Sequence, residues 1–181
     1  MAFSLLGPAF PFGPLLERQF SLLIAASREL ETLLANPATS APAAGRVRDL
    51  EQAARLTYRE LGRELGLTRL LPLERADLHA LTLALQETTR ALVAVAARAS
   101  LYGFNAPRPA ALSLAGSLGE MLTLTARMLE RLRRGDSIAP EIAEFERLTE
   151  ESDSLLLVAL GELYEEEAEA AHPLPLLRWS H

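Results

Sequence analysis

The sequence predicts an all-α fold, on three observations. Apolar residues recur at alternating steps of three and four along most of the chain. Gly, Pro and Asn gather in four stretches between those runs, and no period-two pattern competes with them.

The first helix is expected over residues 15–34, where Leu16, Phe20, Leu23, Ser27, Leu30 and Leu34 form a bundle seam. NPATSAPAAG (36–45) ends it, and a second helix follows over 46–65. After the break GLTRLLP (66–72), a third helix spans 73–102 on the seam Leu78, Leu81, Leu85, Thr88, Leu92, Val95, Ala99 and Tyr102. Pro72 suits its first turn, because the missing N–H would have no intrahelical partner there, and Glu74 sets negative charge at the positive helix end. Leu71 stands where a capping Ser or Thr is usual. GFNAPRP (103–109) separates the third helix from a fourth over 109–133, whose seam is Ala111, Ala115, Leu118, Leu122, Thr125, Leu129 and Leu132. RRGDSIAP (133–140) then turns the chain into a fifth helix over 139–171.

Composition narrows the chemistry. With 181 residues and 49% hydrophobic content the chain can bury a core as one domain. A net charge of -6 leaves no basic excess to displace counterions from nucleic acid, so nucleic acid is not an expected partner. The absence of cysteine removes disulfides, thiolate nucleophiles and zinc–cysteine sites. All 18 cationic residues are arginine, which excludes Schiff-base lysines and a P-loop lysine. The apolar amino terminus lacks a positive leading region and is broken by Pro8, Pro11 and Pro14, so it reads poorly as a signal peptide. No apolar run approaches the roughly 20 residues that span a bilayer, and the expected location is cytoplasmic.

LEQAARLTYRELGREL (50–65) and LTEESDSLLLVALGEL (148–163) align without gaps, Leu50 on Leu148 and Glu64–Leu65 on Glu162–Leu163. Two related three-helix halves, about 1–104 and about 105–181, follow within one domain of 1–181. With PLERADLHAL opening the third helix and LYGF (101–104) closing it, the chain resembles the PhoU-like family, in its Pit-accessory, phosphate transport regulator branch. The resemblance implies tandem antiparallel three-helix bundles and a role in controlling phosphate uptake at the cytoplasmic membrane. It also implies a sixth helix, and the sequence stops before one: LLRWSH (176–181) resembles its lead-in. The faces carrying Leu118, Leu122, Leu129, Phe145 and Leu156 are then expected to lack cover. A symmetric homo-dimer is expected to close them, with the transporter and the 174–179 tail as rivals.

Family members place carboxylates four residues apart on bundle helices, where they can hold metal clusters. Such pairs share a helix face, which gives the spacing its chemical sense. This sequence departs from that pattern, with Glu51 and Arg55 on the second helix, Gln86 and Arg90 on the third, and Thr149 and Asp153 on the fifth. Glu51 and Arg55 are ordered for an ion pair worth about 0.2–0.5 kcal/mol, and two guanidinium groups repel a divalent cation. No cofactor is expected, and no metal in the first half; Arg55 and Arg90 could instead bind an anion if they are close. Glu151 and Asp153 are the candidates for adventitious divalent metal, although two residues apart they point to different helix faces. Glu165 to Glu169 reads as a solvated charge run. His79, His172 and His181 stand apart from any nucleophile pattern, and Phe20, Tyr58, Tyr102 and Phe145 read as core.

The expected function is therefore that of a non-enzymatic regulator, acting through helical contacts with a Pit-type phosphate transporter and peripheral to the membrane through it. The competing readings are a metal- or anion-binding bundle that controls its own assembly, and a purely structural helical domain.

Overall fold

A computed structural model of the chain describes residues 12–68, 74–103 and 108–169; the side chains of Pro37 and of residues 162–169 are not described. The order is α1 (Gly13–Ala35), a 3-10 turn (Pro37–Thr39), α2 (Ser40–Leu67), α3 (Arg75–Tyr102), α4 (Pro109–Arg134) and α5 (Ala139–Glu169). The expected all-α class is what the chain adopts, and no strand occurs among the described residues. No helix among them is long and apolar enough to cross a membrane.

α1 is the hub, packed against α2, α3 and α4, while α5 lies principally on α4. The reason is the width of its apolar face. All six seam residues expected from the spacing are buried, and Gln19, Ala26 and Leu33 are buried beside them. Each fully buried leucine there contributes about 1.5–3 kcal/mol from burial, before chain entropy. One core cluster joins Phe12, Leu16, Phe20 and Leu23 to Leu61, Leu78, Leu85, Leu122 and Leu129. The other joins Leu30 and Leu33 to Val47, Leu92, Ala96 and Ala115. Both draw on all of α1 to α4, so the packing runs across the division expected near residue 104. Exposed ion pairs between helices, Arg46 with Glu29 at 2.7 Å and Arg133 with Glu17, add little energy but agree with the antiparallel register.

Several local expectations are corrected. The break expected over 36–45 contracts to Asn36 and the 3-10 turn, because α2 begins at Ser40. Pro42 is tolerated in the first turn, where its N–H is not needed, and burial of Ala43 and Ala44 holds that turn against its neighbours. Residues 69–73 lie outside the described set, so the expectations for Leu71 and Pro72 do too; the residue preceding α3 is Glu74, with no side-chain capping bond. Arg75 has a role the sequence did not suggest. Its guanidinium donates to the carbonyls of Leu65 and, at 2.7 Å, of Thr68, closing the C-terminus of α2.

α3 also turns its face. Leu78, Leu85, Leu92 and Ala99 are buried as expected, but Thr89 and Ala96 are buried where Thr88 and Val95 were expected, and Tyr102 is exposed. A strict seven-residue repeat drifts about 20° per heptad on a straight helix, and α3 touches both α1 and α2, so the buried strip shifts and widens. Tyr58 and Phe145 are half-buried rather than core. α4 starts with Pro109 and stops at Gly135, whose left-handed φ of 77° lets its N–H reach the carbonyls of Arg131 and Leu132.

The uncovered groove expected on α4 and α5 is largely not found on α4. Leu122 and Leu129 are buried in the cluster that α1 contributes to, and Leu118 is half-buried. On α5 the picture differs: Leu156, Leu157 and Val158 are 46%, 72% and 58% exposed. The internal repeat explains the contrast. α2 buries Ala54, Thr57 and Leu61 because two helices flank it, whereas the aligned α5 residues Ser152, Leu155 and Ala159 are only half-buried.

Candidate functional site

The four first-half residues singled out by sequence do not assemble into one site. Glu51 is half-buried and Arg55 exposed on α2, and they make no ion pair with each other among the described residues. The expected pair is too weak to offset the entropy of holding two long side chains in one geometry. Gln86 faces inward, 1% exposed, whereas Arg90 is on the surface. Among the described residues, Arg55 and Arg90 share no hydrogen-bonding partner.

On α5, Glu151 is held by Arg147, which also donates to Glu144 at 2.7 and 3.0 Å. Asp153 is exposed and apart from that cluster, and no group of three His, Asp or Glu residues able to hold a metal occurs among the described residues. His79 is exposed; His172 and His181, and the side chains of Glu165 to Glu169, lie outside the described set.

The Arg147 hydrogen bond holds Glu144 below the ordinary glutamate pKa, and the Arg147 guanidinium is in turn held protonated more firmly than usual by Glu144 and Glu151. A depressed carboxylate contributes stability above its unfolded pKa, and that contribution is lost as pH falls through the folded value. Carboxyl NMR titration should therefore show the Glu144 midpoint rising in Arg147→Gln. An unchanged midpoint would detach the shift from this contact.

Glu144 also lines a cleft of about 490 Å³ between α1, α4 and α5. α1 supplies Ile24, Ser27, Arg28 and Glu31; α5 supplies Glu144 and Leu148; the remaining wall is α4. Gly116 and Gly119 open it. A Cβ on Gly119 would stand 3.0 Å from Oε1 of Glu31 and 3.4 Å from Oγ of Ser27, so α1 side chains come down onto bare backbone there. Among the described residues Arg28 and Arg127 make no ion pair, and they are the guanidinium groups that line the cleft. The hydroxyl protons of Ser27 and Thr123 are spent on the carbonyls of Ile24 and Gly119, at 2.9 and 2.8 Å. The cleft therefore offers binding chemistry rather than an activated nucleophile.

Sequence reading missed this cleft. The small residues of LAGSLGEM, three apart on one helix, were its available signal, since glycine inside a helix is unfavourable unless something must approach closely. Gly116 makes the cost measurable. A Cβ there meets nothing within 4 Å, so Gly116→Ala is expected to raise stability by about 0.5–1 kcal/mol in urea denaturation. A loss instead would show that the position is crowded.

Comparisons with protein-family models and with curated protein sequences found no match to this chain.

Proposed function

We propose that the chain is a non-catalytic accessory protein that regulates phosphate uptake by laying α5 against the cytoplasmic side of a Pit-type phosphate permease. The observation that carries the reading is the exposed apolar run Leu156, Leu157 and Val158, on a helix otherwise rich in charge. Contiguous apolar side chains on a surface favour burial against another protein, and an amphipathic helix seated in a groove is a recurrent way to achieve it. The choice of a phosphate permease rests on the resemblance carried by PLERADLHAL and LYGF.

The test is phosphate uptake by a Pit-type permease in proteoliposomes, with and without the added chain. The chain is expected to change the uptake rate, and the triple variant Leu156→Ser, Leu157→Ser, Val158→Ser to lose the effect while keeping its helical circular dichroism. Uptake indifferent to the chain, or a triple variant as effective as the parent, would reject the proposal.

A second reading, an anion-binding bundle, is favoured by Arg28 and Arg127 at the cleft, neither in an ion pair among the described residues. Calorimetric titration with inorganic phosphate addresses it: binding that weakens in Arg28→Gln and Arg127→Gln supports it, and no heat of binding removes it.

A further inference from the structure

The outer face of α5 carries apolar residues that the bundle itself does not require. α5 lies principally on α4, with Leu148 buried and Leu155 and Ala159, seven and eleven residues on, half-buried along the same side of the helix. Leu157 stands two residues from each of the last two, which at 3.6 residues per turn puts it on the opposite side. The internal repeat supplies a comparison. Leu156, Leu157 and Val158 align with Tyr58, Arg59 and Glu60 of α2, where Tyr58 is half-buried and the two charged residues are exposed. α2 packs against two helices and still keeps charge at its outer positions, so a bundle helix of this register has no need of apolar residues there.

Charge states what kind of surface would cover them. α5 carries eleven Asp and Glu residues and one cation, Arg147, which is already engaged by Glu144 and Glu151. Glu150 and Asp153 precede Leu157 by seven and four residues, so they share its face. Both are exposed, and neither is in an ion pair among the described residues. Beyond the apolar run, Glu162 and Glu165 follow Val158 by four and seven residues in the same helix. An apolar centre is thus bracketed by carboxylate positions along one helix face.

We propose that this face of α5 docks a basic amphipathic helix of another protein, with the apolar stripe of that helix over Leu157 and its neighbours and its Lys or Arg side chains over Glu150 and Asp153. The inference deepens the docking role given to α5 above and rests on α5 being the contact surface, not on the partner being a permease. Burial of the apolar run supplies affinity, and the opposed charges supply register and exclude other partners. A second copy of this chain fits poorly, because two such faces would set carboxylate against carboxylate. An anionic lipid surface is repelled for the same reason. The cytoplasmic loops of membrane proteins carry an excess of Lys and Arg, so a surface of that kind has the complementary sign.

The test offers the full chain a labelled helical peptide with leucine along one face and lysine on the rest. Two further peptides serve beside it, one with glutamate in place of lysine and one with the same residues reordered so that leucine encircles the helix. Fluorescence anisotropy reads affinity and amide NMR reads the place of binding. The lysine peptide is expected to bind, to shift the amides of residues 150–158, and to lose about tenfold in affinity in Leu157→Ser and again in the pair Glu150→Gln, Asp153→Asn. All three residues are exposed, so these variants keep the fold. Equal binding of the glutamate or the reordered peptide, or shifts confined to another surface, would overturn the proposal. So would self-association in light scattering that Leu157→Ser abolishes, because the face would then belong to a second copy. Peptide binding on α5 with permease uptake unaffected rejects the permease alone; an uptake effect that needs α5, with no lysine-peptide binding, rejects the basic helix alone.

Discussion

Leu129→Glu is expected to abolish the native fold of the whole described bundle, not to loosen one half of it. Leu129 is 6% exposed and shares a cluster with Leu16, Phe20, Leu61 and Leu85. A carboxylate there has no cation among its apolar neighbours, and an uncompensated buried charge costs about 3–5 kcal/mol. The lost leucine packing adds to that. Small domains hold only about 5–15 kcal/mol in reserve, so a cooperative loss of α1 to α4 is the expected outcome in thermal circular dichroism and in amide NMR spectra. Were Leu129 on the dimer-closing face that the sequence leads one to expect, the same substitution would dissociate a dimer and spare the first half. The shared core reverses that expectation, and a variant whose α1 to α3 amides keep native dispersion would show that those three helices stand without α4.

Leu148→Ala should act more locally, with a cost of about 2–5 kcal/mol expressed mainly as release of α5. Leu148 is 3% exposed, and with Glu141 it is one of the two buried α5 residues among those described. Glu141 accepts from Arg131 at 2.9 Å, tying the start of α5 to the end of α4. The Thr149 hydroxyl, adjacent to Leu148 in the chain, contacts the sulfur of Met121 at 3.7 Å. These contacts are few, and the following residues 155–161 are half-buried or exposed. Hydrogen exchange read by mass spectrometry should therefore show protection lost over α5 while α1 to α4 retain theirs. If α5 stayed protected, its attachment would have to come from contacts other than the Leu148 anchor. The experiment also bears on the proposed docking role, since a helix weakly tied to its own protein can reorient on a partner at small cost.

The sequence by itself determined the number of helices, their class and most of their limits. The α1 seam was legible residue by residue, Pro109 and Gly135 marked helix ends, and the first-half positions that depart from acidic pairing were visible as glutamine and arginine. Periodicity and capping are properties of a single helix, set by its 3.6-residue turn and by the orphan groups at its ends, so they can be read without knowing the neighbours. Tertiary structure decided the rest. It moved the buried strip of α3 onto Thr89 and Ala96, admitted Pro42 into α2, used Arg75 to close α2, and brought Gly116 and Gly119 of α4 beside Arg28 and Glu31 of α1. It also put Gln19 and Gln86 inside rather than at the surface. Which face of a helix is buried, and which polar groups go in with it, depends on how many neighbours press on that helix and from which sides, and no local spacing carries that information.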